Sequence, residues 1–226
     1  RAMSNIIISY DGTYNEDDAV ALGSVFAQAG AEVSLAYVRH TPEEETSREI
    51  LAQHEAEALL GRGAELLDAE VQRHVITDRS TPDGLRALAE RTGAEAIVFC
   101  SDSHTAQGHI AVGNSARRLL EGGKTAVAIA PAGFAKNRGG VHTVGVVGDG
   151  SAHETAEALA RALSAEVVSA DSHSADVLVV GSRPEAEQGR VSISAASENL
   201  IENATCPVLV VPQGRALSFD GALATV

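Results

Sequence analysis

The chain contains an internal repeat, and the second copy is shorter than the first. Five sequence blocks recur in the same order. The first block, residues 7–13, returns as residues 144–151, and the last, residues 125–131, returns as residues 206–212. Matching blocks in one conserved order indicate duplication of a folding unit. The chain is therefore restricted to architectures that can be built twice and joined.

The spacing between the repeated blocks locates a deletion. Asp11 and Asp149 are 138 positions apart, whereas Cys100 and Gly181 are only 81 positions apart. The second copy is therefore roughly 57 residues shorter than the first. In the first copy these residues are predicted to form a long second helix, a third strand and a third helix. We expect the second copy to lack all three.

Strands and helices alternate along the first copy. Short β-rich or apolar runs predict five strands at residues 5–10, 32–38, 71–77, 94–100 and 125–130. Amphipathic segments between them predict helices, and the long second helix starts at a capping box formed by Thr41 and Glu44. Because parallel strands need crossover connections, this order predicts a parallel sheet with helices on both faces, the Rossmann-like α/β class.

The repeat also predicts the domain organisation. We expect a complete first repeat over residues 5–132, a linker over 133–140, a truncated second repeat over 141–213 and a C-terminal tail over 214–226. The linker is rich in glycine and in small or polar residues. The tail has no clear pattern, although Leu217, Phe219 and Leu223 are apolar enough to dock on the body.

Charge and composition exclude several classes of partner. The formal net charge is −14, and the 17 Lys and Arg residues form no basic cluster, so neither nucleic acid nor an anionic membrane is an expected partner. No apolar run approaches the roughly 18 residues needed to cross a bilayer. Two cysteines are too few for a disulfide framework, and no secretory signal is visible. The expected location is the cytoplasm.

The repeated blocks resemble the universal stress protein family. Its members open with a strand ending in Asp-Gly-Ser or Asp-Gly-Thr, as at Asp11-Gly12-Thr13, and close with Cys-Pro-Val-Leu-Val-Val, as at residues 206–211. The resemblance implies a stress-response protein with the adenine nucleotide alpha-hydrolase-like fold. It also implies a tandem pseudo-dimer in which strands at 125–130 and 208–211 pair antiparallel. A further homodimer of tandem chains stays open.

The same resemblance points to a ligand site in the first repeat. Its ATP-binding members carry a phosphate loop Gly-x2-Gly-x9-Gly-(Ser or Thr), in which glycines let the backbone approach the anion. The four positions here are Cys100, Ser103, Gly113 and Asn114, so that only Gly113 matches, and Asp102 adds negative charge. ATP is the cofactor that the resemblance suggests. The candidate ligand-binding residues are Asp11, Gly12, Val38, Cys100, Ser101, Ser103, Gly113, Asn114 and Ser115.

No nucleotide is expected in the second repeat. Its four loop positions are Gly181, Pro184, Ser194 and Ala195, and again a single glycine survives. Pro184 removes a backbone N–H that could bind phosphate. The predicted deletion would also remove one wall of the pocket.

Three functions fit these residues. The first is a non-catalytic stress-response module that binds or senses a small ligand, with adenine nucleotide as the named candidate. The second is a nucleotide-hydrolysing enzyme of the same fold group, against which stands the lack of a glycine cradle and of a metal-binding acid pair. The third is a dimerisation scaffold without a ligand. No catalytic or metal-binding residue is assigned, because the spacing of His104 and His109 fits no metal-ligand pattern.

Overall fold

The computed structural model describes residues 4–40, 45–148, 150–169 and 175–220. In chain order they form β1 (Asn5–Ser9), α1 (Glu16–Gln28), β2 (Glu32–Arg39), α2 (Thr46–Leu67), β3 (Gln72–Thr77), α3 (Thr81–Thr92), β4 (Ala96–Cys100), α4 (Asn114–Leu120), β5 (Ala126–Ala130), α5 (Phe134–Asn137), β6 (Thr143–Val147), α6 (Ser151–Leu163), β7 (Glu166–Ser169), β8 (Val177–Gly181), α7 (Ala195–Glu202) and β9 (Val208–Val211). The predicted capping box at Thr41 and Glu44, together with Asp149 and Leu223, lies outside the described residues.

The strands form one continuous sheet in the order β3-β2-β1-β4-β5-β9-β8-β6-β7. All neighbours pair in parallel except β5 and β9, which pair antiparallel. The predicted Rossmann-like α/β class is confirmed. The predicted antiparallel pairing of the last strands is confirmed as well.

The β5–β9 pair joins the two repeats at the centre of the sheet. Val127 lies opposite Val210, Ala128 opposite Leu209, and Ile129 opposite Val208. Every residue of both strands is buried. Each strand would be an exposed sheet edge if its repeat stood alone, and an exposed edge offers unpaired backbone groups to other chains. The pairing covers both edges, and we call this junction, including the helices beside it, the seam.

The two repeats share a hydrogen-bond pattern after their central strands. Ser101 Oγ donates to Ala130 O at 2.8 Å and accepts from Ala111 N at 3.2 Å. Exactly 81 positions later, Ser182 Oγ donates to Val211 O at 2.8 Å and accepts from Ser192 N at 3.1 Å. The offset read from the sequence therefore relates structurally equivalent residues.

The second repeat is truncated where the sequence predicts. In the described part of the chain, the only elements between α6 and β9 are β7, β8 and α7, so α2, β3 and α3 have no counterpart there. The inner strand β6 pairs with β7 on one side and with β8 on the other. The strand β7 therefore forms one edge of the sheet and β3 the other.

Apolar side chains from both repeats form one core on each face of the sheet. On one face, buried residues of α1, α2 and α6 pack against the strands. On the opposite face, buried residues of α3, α4 and α7 do the same. Both cores run across the seam without interruption. None of the described helices combines the length and the apolar character required to span a bilayer.

The predicted linker contains a turn of helix. The helix α5 packs against α1 of the first repeat. The buried carboxylate of Asp18 on α1 accepts hydrogen bonds from Gly133 N at 2.8 Å and from Ala135 N at 2.7 Å. A carboxylate that binds free N–H groups at a helix start stabilises that helix. The linker is therefore attached to the first repeat.

The tail returns to the first repeat. Leu217 and Phe219 are both 3% exposed, as expected from their apolar character. Phe219 stacks on Phe26 of α1 with ring centroids 5.8 Å apart. Ser4 N donates to Ser218 O at 3.2 Å, and Ser218 N donates to Ser4 Oγ at 3.0 Å. We call residues 214–220 the tail strap, because they connect the second repeat to the first.

The tail strap gives the first testable prediction. Phe219→Ala should lower the free energy of unfolding by about 3 kcal/mol, because it removes a buried aromatic ring and its stacking contact with Phe26. Urea denaturation followed by circular dichroism measures the change. Phe219→Leu keeps most of the apolar volume and should cost less than half as much. Equal losses for the two variants would contradict a packing role for the ring.

Candidate functional site

An open cleft of about 320 Å³ lies at the carboxyl ends of β1 and β4 in the first repeat. Ligands of open α/β sheets bind at this edge because the loops that follow parallel strands converge there. Seven of the nine predicted residues line the cleft, namely Asp11, Cys100, Ser101, Ser103, Gly113, Asn114 and Ser115. The structure thus brings together residues that are about 100 positions apart in sequence.

The other two predicted residues do not line the cleft. Val38 is 5% exposed, and its methyl groups face Gly84 of α3, where an added Cβ would lie 3.1 Å from Val38 Cγ1. Gly12 has φ of +81°, and an added Cβ would lie 2.6 Å from Leu59 Cδ1 of α2. The left-handed backbone at position 12 favours glycine, and a Cβ there would also force the end of the Leu59 side chain to move.

Glu16 is the most unusual side chain of the site. It is 4% exposed, although it lies in the first turn of α1. Its carboxyl group accepts hydrogen bonds from the backbone N–H groups of Asp11 and Gly12, the turn that follows β1. Free N–H groups in such a turn are suited to bind an anion. Glu16 satisfies them from within the chain.

Burial keeps Glu16 protonated. Desolvation, a hydrogen bond with the Asp11 side chain and the Asp11 charge raise the pKa of Glu16 from its ordinary value of 4.5 to about 9. The two backbone N–H donors lower the pKa and offset only part of this effect. At neutral pH the Glu16 carboxyl is therefore neutral, and it lies beside the solvent-exposed Asp11.

A second acidic group faces the start of α4. A Cβ added to Gly113, the residue before that helix, would lie 3.6 Å from Asp102 Oδ1. The Asn15 side chain donates to Asp102 O at 2.9 Å, which ties the loop after β1 to the loop after β4. The Asp102 carboxylate thus lies beside the one glycine that is retained from the phosphate-loop pattern.

These charges decide which ligand the cleft can hold. None of the described residues that line the cleft is Lys or Arg. Three acidic residues line it, namely Asp11, Glu16 and Asp102. A triphosphate would bring negative charge next to two carboxylates with no cation to balance it. Ser103, Ser115, Thr13 and Thr81 offer hydroxyl groups instead. The residues present do not fit ATP phosphates, and they do fit a small polar group without negative charge.

The Cys100 thiol lies at the carboxyl end of β4 and lines the cleft, as the sequence predicts. Burial, and after it the charges of Glu16 and Asp11, raise the pKa of Cys100 to about 12. A thiol needs its thiolate form to react with oxidants or electrophiles. Cys100 is therefore an unreactive part of the wall.

The equivalent region of the second repeat is built differently. The acidic residue in the first turn of α6, Glu154, is exposed. Ser194, which replaces Gly113, caps α7 by accepting a hydrogen bond from Ser197 N at 3.0 Å. Arg183 replaces Asp102 and donates to Ser192 Oγ at 2.6 Å. The same loop fold thus carries different chemistry in the two halves.

Seven residues that line the cleft are absent from the predicted ligand-binding set, namely Ser9, Thr13, Glu16, Thr81, Phe99, Asp102 and Ala116. Glu16 reads as an ordinary acidic residue of a first helical turn, where a carboxylate complements the helix dipole. Thr81 and Phe99 line the cleft from α3 and β4. The acid closely following Asp-Gly is a weak signal for Glu16, and nothing in the sequence reveals its burial.

Comparison with known families identifies both halves. The profile of the universal stress protein family matches residues 3–131 and matches again at residues 124–212. The two matches overlap by only a few residues and together span most of the chain. A search of curated proteins found no match.

Solved structures share the whole fold. A universal stress protein from Archaeoglobus fulgidus DSM 4304 is 16% identical with a TM-score of 0.68, covering 93% of this chain and 98% of its own. A functionally unknown protein from Pseudomonas aeruginosa PAO1 is 12% identical with a TM-score of 0.62, covering 94% of each chain. At these identities the likeness establishes the fold alone.

The buried carboxyl gives the second testable prediction. The folded state holds the Glu16 proton up to about pH 9, whereas the unfolded chain releases it near pH 4.5. The contribution of Glu16 to the free energy of unfolding is therefore fully present below pH 4.5 and is lost as the pH rises to 9. Glu16→Gln removes this loss, so its melting temperature relative to wild type should rise steadily from pH 5 to pH 9.

Glu154→Gln is the control, since Glu154 also lies in the first turn of its helix, α6, but is exposed. Differential scanning fluorimetry across this pH range measures both variants. The Glu154→Gln difference from wild type should stay flat with pH. A flat difference for Glu16→Gln would show that Glu16 is ionised at neutral pH, and would contradict the prediction.

Proposed function

The chain belongs to the universal stress protein family, and on that premise we propose that it is a stress-response module whose first repeat binds a small polar ligand without transforming it. The single observation that supports this proposal is the cleft at the carboxyl ends of β1 and β4, which gathers seven of the predicted ligand residues.

The ligand we propose is a nucleoside or a similar uncharged, hydroxyl-rich molecule. The cleft offers hydroxyl groups and two exposed carboxylates, Asp11 and Asp102, which can accept hydrogen bonds from a ribose or an amino group. Asp102 and Asp11 disfavour phosphate by charge, and Glu16 already holds the N–H groups of the β1 turn. Each added phosphate should therefore weaken binding.

Binding without reaction is supported by how the acidic groups are used. The Glu16 carboxyl is engaged by two backbone N–H groups and by Asp11. Asp11 Oδ1 also accepts from Thr13 N at 3.0 Å. A general acid or base must reach its substrate with a free polar atom. Because its carboxyl is engaged in these contacts, Glu16 has no free polar atom for catalysis, and Asp11 is left to bind the ligand.

The third testable prediction is a thermal-shift titration with adenosine, AMP and ATP–magnesium. A ligand that binds only the folded state raises the melting temperature by mass action. Adenosine should give a saturable rise, AMP a smaller one and ATP the smallest. Asn114→Leu, which places an apolar side chain on the cleft wall, should abolish the response.

Ala195→Leu is the matched control. Ala195 lies 81 positions after Asn114 at the start of α7, and the change should leave the adenosine response intact. A response larger for ATP than for adenosine would overturn the proposed ligand class. Release of phosphate from ATP would favour the enzyme alternative, and no response to any of the three would favour the scaffold.

A further inference from the structure

Arg117 of α4 and Glu198 of α7 form an ion pair across the seam. Arg117 Nη1 lies 2.9 Å from Glu198 Oε1, and the two side chains are 43% and 46% exposed. Glu202 adds a weaker contact, with its Oε1 3.9 Å from Arg117 Nη2. These contacts join α4 to α7, the helices that flank β5 and β9 on one face of the sheet.

Arg117 and Glu198 are the same position in the two repeats. They are 81 positions apart, the offset that relates the Ser101 and Ser182 hydrogen bonds. Equivalent positions face each other because the seam has twofold pseudosymmetry. A pairing of two first repeats would therefore bring arginine against arginine here. A pairing of two second repeats would bring glutamate against glutamate.

The apolar positions beside the ion pair carry the same type of residue in both repeats. A pocket of about 180 Å³ under the pair is lined by Val112 and Leu120 from one repeat and by Ile193 and Ile201 from the other. These are equivalent positions at the same offset of 81, and they are aliphatic on both sides. Arg117 and Glu198 therefore carry opposite charges among aliphatic neighbours of like kind, while the next charged pair of equivalent positions, Glu121 and Glu202, is acidic in both halves.

The backbone at the seam is also unlike in the two halves. Gly122 N donates to Val191 O at 2.9 Å, and Val191 N donates to Gly123 O at 2.7 Å, so the turn after α4 docks on the second repeat. The equivalent turn after α7 is Asn203-Ala204, whose N–H groups donate to Asn199 O and Ile201 O within their own repeat. The docking surface of one half thus differs from that of the other.

We propose that the seam is selective for an unlike repeat. The opposite charges at positions 117 and 198, together with the unlike turns, favour pairing of the first repeat with the second. They disfavour pairing of either repeat with a second copy of itself, since like charges held close together repel. The partner that fits each half is therefore a domain of this fold with the opposite charge at that position, which the same chain supplies.

Charge reversals in the whole chain reproduce the disfavoured pairings. Arg117→Glu creates the glutamate–glutamate contact, and Glu198→Arg creates the arginine–arginine contact. Each should lower the melting temperature by about 2–4 °C, as expected for losing an exposed ion pair and gaining repulsion. The double variant Arg117→Glu/Glu198→Arg restores opposite charges and should recover to within about 1 °C of wild type.

Arg118→Glu is the control, because Arg118 is the next residue on the same helix and changes net charge by the same amount. It should lower the melting temperature less than either seam variant. The losses in the seam variants should also shrink at about 1 M salt, where charges are screened within a few ångströms. The proposal is overturned if the double variant is as unstable as the two single losses combined, or if Arg118→Glu matches the seam variants.

Discussion

The structure depends on the antiparallel pairing of β5 with β9. These are the last strands of their repeats, and each carries only aliphatic residues that are buried on both sides. A strand of this kind cannot remain at an open edge, because its unpaired backbone groups and apolar side chains would attract other chains. Pairing them merges two half-sheets into one, and lets both cores continue from one repeat to the other.

The truncation makes the two halves chemically unequal. In the first repeat, α2 lies over the turn after β1, and Leu59 contacts the position of Gly12. The second repeat has no counterpart of α2 among its described elements, and a Cβ added at Gly150, 138 positions after Gly12, would have no neighbour within 4 Å. The deletion therefore leaves the corresponding turn of the second repeat without this cover.

The architecture follows from the sequence because the repeat spacing is a long-range signal. Two different offsets locate the deletion, and the alternation of strands and helices gives the parallel order. The cleft is predicted in outline, since the carboxyl ends of β1 and β4 must meet. The family resemblance suggests Val38 as a ligand residue; its side chain faces Gly84 of α3, a contact that the sequence pattern does not reveal.

The sequence does not predict the burial and contacts of individual side chains. Glu16, Arg117 and Glu198 all read as ordinary charged residues of helices, and only tertiary packing distinguishes them. Glu16 is buried although it lies in the first turn of a helix, where an acidic residue is commonly exposed. The Arg117–Glu198 contact depends on the seam, which brings together residues from two different repeats. Charge inversion at equivalent positions is visible in the sequence only once the offset of 81 is applied.

The tail strap has a consequence for how the halves associate. The chain passes between the repeats at α5, which Asp18 fixes to α1, and returns through the contact of Ser218 with Ser4. Two separate connections hold β9 beside β5, so the second repeat is present at a very high effective concentration relative to the first. A free copy of either half, at ordinary cellular concentrations, would have to compete with the covalently linked repeat of the same chain.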